Sequence, residues 1–160
     1  MRPLAIALVL ALTIASSAPA NVIQSAPDFS WPGAGNKARS LRSLRGQPVV
    51  LVIAPSPRDG AFRKQVEWLK KTYSQLASKG TIFIAAFSQS EEGQIKSNIP
   101  FVVANNGPAV ASAYSAQGFH LVVIGKDGNV DYSTDKVRTA ERIRDVIINN
   151  FEMQASSRKQ

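Results

Sequence analysis

Residues Gln47 to Gln65 read QPVVLVIAPSPRDGAFRKQ. Pro48 to Ala54 form a continuous apolar, β-branched run, the pattern of a strand covered on both faces. APSPRDG then turns the chain, and Asp59 stands where a capping carboxylate would accept from the first amides of a helix. Beyond it Phe62, Val66, Leu69, Tyr73 and Leu76 recur at spacings of four and three, one face of a helix that Lys79-Gly80 ends. TIFIAAF, Thr81 to Phe87, repeats the buried-strand pattern. Strand, helix and strand in this order predict a parallel βαβ unit.

The remainder extends that unit. Glu91 to Asn98 reads as a short helix, Phe101 to Ala104 as a brief extended stretch and Ala109 to Ala116 as a short helical one. Leu121 to Ile124 and Asn129 to Tyr132 are strands joined by GKDG, with Asp127-Gly128 as the hairpin turn. A last helix from about Lys136 to Phe151 would bury Val137, Ile143, Val146, Ile147 and Phe151. Trp31 to Ser40, rich in Ser, Gly and Asn, reads as a loop. The fold class is therefore α/β, a mixed central β-sheet flanked by helices.

Arg2 is followed by an apolar run from Leu4 to Ile14 and by small residues ending Ala18-Pro19-Ala20, the pattern of a signal peptide cleaved after Ala20. The expected organisation is a leader over 1–20, one domain over 21–152 and a frayed tail over 153–160. The expected location is periplasmic or secreted, with no integral membrane span in the mature chain. Cysteine is absent, which excludes disulfides, thiolate nucleophiles and Cys-ligated metals. The chain has 19 Lys and Arg against 11 acids. Arg39, Arg42, Arg45, Lys64, Lys70, Lys71, Arg138, Arg142 and Arg144 are scattered rather than clustered, and no aromatic interleaving offers a base-stacking platform. This disfavours nucleic acid and leaves an anionic surface open as a partner.

APDFSW (Ala26 to Trp31) followed by SLRSLRGQPVVLVIAP (Ser40 to Pro55) resembles the entry segment of thioredoxin-like proteins of the peroxiredoxin and exported thiol-disulfide oxidoreductase type. Ile99 to Val130, IPFVVANNGPAVASAYSAQGFHLVVIGKDGNV, is similar to the same family's second half. The resemblance covers nearly the whole chain after the leader and extends to an uncharacterised group of exported bacterial proteins. It implies a thioredoxin-like fold with the functional face at the turn after the first buried strand.

The sequence departs from that family at both places its chemistry needs. The family's reactive Cys, or Cys-x-x-Cys, falls on Pro57-Arg58-Asp59-Gly60, and its cis-proline falls on His120. Ser56 replaces no thiol, because a hydroxyl neither exchanges with disulfides nor reduces peroxides. A Ser56, His120 and Asp59 relay is formally available, yet nothing in the sequence fixes the three together or supplies an oxyanion hole. A lone His builds no metal site. Catalytic residues, cofactor and metal are accordingly all read as none. Ser56 has an ordinary role as a polar turn residue and Asp59 as an N-cap, whereas Arg58 is the residue least explained by folding. Pro55, Ser56, Arg58, Asp59, Phe119 and His120 are the candidates for a partner-binding face. His120 is expected to have a trans peptide before it, to face the turn, and to have Asp59 as its nearest carboxylate, which would raise its pKa.

Two functional readings follow. One is a non-catalytic binding or accessory module for an envelope or extracellular protein, using the former active-site face. The other is an enzyme or redox-accessory protein acting with non-Cys groups or with a partner's thiols.

Overall fold

The computed structural model describes residues 24–157, with side chains through 150. The leader read over 1–20 and the final residues of the tail, 158–160, lie outside them. The elements are β1 (Ser30–Pro32), β2 (Ala38–Ser40), β3 (Val49–Ala54), α1 (Gly60–Ala77), β4 (Ile82–Phe87), β5 (Val102–Val103), α2 (Gly107–Ala113), β6 (His120–Ile124), β7 (Val130–Thr134) and α3 (Ala140–Ser157).

Every residue of β3 is buried, as its unbroken apolar run requires. It lies at the centre of a five-stranded sheet of order β5-β4-β3-β6-β7. β3 pairs parallel with β4 and antiparallel with β6, and β7 closes the second edge antiparallel to β6. Alternate residues divide the core in two. Val50, Val52, Ala54, Phe83, Ala85, Phe87, Leu121 and Val123 face α1 and α3, where Phe62, Val66, Leu69, Leu76, Ile143 and Ile147 pack on them. Val49, Leu51, Ile53, Ile84, Ala86, Val122 and Ile124 face α2 and the entry segment, under Val110, Ala111, Trp31, Leu41 and Leu44. This is the mixed sheet with helices on both faces that the sequence predicts.

Gly107 opens α2 against the end of β4: a Cβ there would run into the carbonyl of Phe87, so only glycine permits the approach. The hairpin between β6 and β7 turns as expected, with Gly128 at φ 83° and its amide bonded to the Gly125 carbonyl at 3.0 Å. A register shift between Val123 and Ile124 marks a bulge in the β6–β7 ladder.

Three local expectations are corrected. Glu91 to Asn98 is not a helix but irregular chain, because Gly93 takes φ 122° and the hydroxyls of Ser90 and Ser97 accept from the amides of Glu92 and Ile99, offering the backbone local partners instead of a helical ladder. Trp31 to Ser40 is not a plain loop but the β1–β2 ribbon, folded back at Gly35 and Asn36, both at positive φ, and pinned by buried Trp31. The last helix begins at Ala140 rather than Lys136 and runs to Ser157, past Phe151. Its late start has a cause in α1: the fully buried Gln65 side chain accepts from the Arg138 amide at 2.8 Å and donates to the Arg138 carbonyl at 3.0 Å. Those two bonds tie the approach segment to α1 and take the Arg138 backbone groups that a helical turn would need.

Candidate functional site

The turn after β3 is held mainly by backbone. The Pro55 carbonyl accepts from the amides of Gln89 and Ser90 at 3.0 and 3.1 Å, and the Ala54 carbonyl from Ser88 at 2.9 Å, so the chain leaving β4 clamps it. Asp59 caps α1, its Oδ1 accepting from the Phe62 amide at 2.9 Å. Ser56 Oγ accepts from the Arg58 amide at 3.3 Å. The ordinary turn roles read for both residues are thus observed.

His120 lies next door but faces away. It pairs with Ile53, one residue before β3 ends. The Phe119-His120 peptide is trans. The imidazole Nε2 meets Ser133 Oγ of β7 at 2.7 Å. The expected Asp59–His120 pair is therefore absent: Asp59 is engaged at the helix terminus, and the carboxylate that influences the imidazole is Asp135. The pKa direction reverses accordingly. Half-burial lowers the His120 pKa from 6.5, and Asp135 offsets this only in part. Ser56, His120 and Asp59 each have a different partner, so no relay joins them. Phe119, half-buried, packs on the core layer under α1 and α3.

The open part of the site lies on the other flank. A groove of about 700 Å³ runs between the first two turns of α1 and the irregular chain at Gly93 to Lys96. Pro57, Phe62, Val66 and Ile95 give it an apolar lining; Arg58, Arg63, Lys64 and Lys96 supply four cations. Phe62 is anchored edge-on against Phe87 with ring centroids 5.1 Å apart. Arg58 stands at the mouth with its stem and Nε over Gly93, where an added Cβ would meet Cγ at 3.3 Å. Glu67, also in the lining, is taken by Lys70 at 2.8 Å.

Of the six candidates read from the sequence, only Arg58 lines this groove. Pro55, Ser56 and Asp59 build the turn beside it, while Phe119 and His120 belong to the opposite flank. Arg63, Lys96 and Ile95 were not singled out. The usable signal was Gly93 within a polar stretch ending Ile99-Pro100, which marks a loop able to wall a cleft.

No family model matches the chain, and no curated protein sequence does. Solved structures do resemble it. A Chlorobium tepidum protein assigned as the thiol:disulfide interchange protein DsbE is similar at 20% identity and TM-score 0.66, over 80% of this chain and 96% of that one. A thiol:disulfide interchange protein from Bacteroides sp. is similar at 19% identity and TM-score 0.63, over 78% and 86%. The peroxidoxin BcpB from Mycobacterium tuberculosis is similar at 16% identity and TM-score 0.61, over 82% and 96%. At these identities the likeness establishes the fold.

Proposed function

We propose, for a thioredoxin-like chain that contains no cysteine, a non-catalytic binding or accessory role outside the cytoplasm, with a protein partner docking on the face where this fold otherwise carries its reactive thiol. The observation that carries the reading is the state of that face. The turn and its capped helix persist without a sulfur atom, and Arg58 stands exposed at the mouth of an apolar-lined groove. The leader pattern over 1–20 supports export, and no helix among the described residues is long and apolar enough to cross a membrane.

Two measurements test it. The mature protein should neither reduce insulin disulfides nor consume hydrogen peroxide with turnover, because no residue can hold the covalent sulfur intermediate; catalytic turnover in either assay overturns the proposal. Capture of a partner from the source organism's envelope fraction should fall with Arg58→Glu and persist with Arg142→Glu, on α3 and outside the groove lining, at unchanged thermal transitions. Equal capture by both variants moves the site elsewhere.

A further inference from the structure

We infer that the groove between α1 and the Gly93 to Lys96 segment binds an extended acidic peptide whose carboxylates alternate with apolar side chains. This rests on the reading of the turn face as a docking surface and names the chemistry of its occupant.

Charge complementarity is the first argument. The side chains of Arg58, Arg63, Lys64 and Lys96 make no ion pair among the described residues, and the one acid in the lining, Glu67, is already paired with Lys70. Arg58, Arg63 and Lys64 fall within seven residues of one another, around the α1 terminus whose first amides Asp59 already caps. The groove therefore has four cations to one acid in its lining, a positive excess that no ion pair among the described residues offsets.

Backbone supply is the second. The amides of Gly93, Gln94, Ile95 and Lys96 donate to no acceptor among the described residues, so this wall retains backbone donors that the chain does not use itself. An extended peptide can satisfy such donors with its own carbonyls, the hydrogen-bonding mode that strand addition uses at a sheet edge. The apolar lining from Pro57, Val66 and Ile95 then receives alternate side chains.

Other polyanions fit less well. Nucleic acid binding to a single strand needs exposed aromatic faces, and the groove's aromatic residue, Phe62, is fully buried. A lipid surface needs apolar groups projecting from a face, whereas these form the lining of a recess.

The test uses the mature chain and a short fluorescein-labelled peptide of alternating Glu and Leu, read by anisotropy, against the same peptide with Gln for Glu, a labelled oligothymidylate, and phosphatidylglycerol vesicles. The Glu peptide should bind and the Gln peptide should bind about tenfold more weakly or worse, since each 1.4 kcal/mol is tenfold in affinity. Binding should weaken as salt rises from about 50 to about 300 mM, as screening of exposed charges requires. Arg63→Glu with Lys96→Glu should reduce affinity about tenfold through lost and reversed rim charges, and Arg142→Glu should leave it unchanged. Amide shifts on binding should centre on Gly93 to Lys96. Equal affinity for the Gln peptide, indifference to the double variant, or preferential binding of oligothymidylate or vesicles overturns the inference. Failures separate cleanly. An envelope partner captured through Arg58 with no Glu peptide binding overturns the occupant and keeps the docking face; Glu peptide binding in the groove with Arg58-independent capture keeps the occupant's chemistry and overturns the wider reading.

Discussion

The two flanks of the turn after β3 differ in how far their polar groups are already satisfied. On the β6–β7 side His120 is half-buried and bonded to Ser133, and Phe119 packs into the core layer. On the α1 side four cations have no acidic partner and four successive amides have no acceptor among the described residues. Both flanks border the same turn, so the sequence reading treats them as one surface. The difference teaches that the two sides of one turn need not share a role: on one flank the polar groups are satisfied within the chain, on the other they are not.

Substitutions on each flank can break that contrast. The largest expected effect is Phe62→Ala. Its ring is 1% exposed and contacts Phe87 and Phe101, so truncation should cost about 3 to 5 kcal/mol in denaturant unfolding. Phe119→Ala, removing a half-buried ring on the closed flank, should cost about 1 to 2 kcal/mol. A Phe119 cost equal to that of Phe62 would mean that the closed flank is as deeply built into the core as the groove lining. Next, Asp59→Ala should cost about 1 kcal/mol by removing the bond to the Phe62 amide; no change in the unfolding midpoint would mean that the cap contributes nothing.

The smallest effect is a titration. His120 should titrate below 6.5 by NMR, lower still in Asp135→Asn and unchanged in Asp59→Asn. The sign for stability follows from the depressed folded pKa. The contribution of neutral His120 is fully present above the unfolded value of 6.5 and is lost as pH falls through the folded one. A midpoint that moves with Asp59 instead of Asp135 would return the imidazole to the turn.

What could be read in advance tracks how local its determinants are. β3, α1 and β4 announce themselves through runs and spacings contained within each segment, and the hairpin through Asp127-Gly128. The ribbon β1–β2 escaped because three-residue strands carry too little period to register, and its anchor is a single Trp31. The false helix at Glu91 to Asn98 had acidic residues followed by Ile95 and Ile99 at helical spacing, but Gly93 and two serine side chains decided the backbone. At the site, the role of Asp59 was local and legible. The direction of His120 was not, since it depends on the cross-strand position of Ser133, and the groove exists only because its far wall is irregular chain rather than the helix its spacing predicts.

The position of β3 also governs how the chain assembles. Val49 pairs with Ile82 and with Ile124, 33 and 75 residues later in the chain. The central strand can gain its first neighbour only after α1 and β4 exist, and its second only when almost all of the sheet's sequence is present. Each closure orders a long stretch of chain before its contacts reward it, and non-local pairing of this kind slows folding. During synthesis the early segments therefore remain without a finished sheet until β6 has been made. No disulfide can then lock a premature pairing in place, so the whole topology waits on β6.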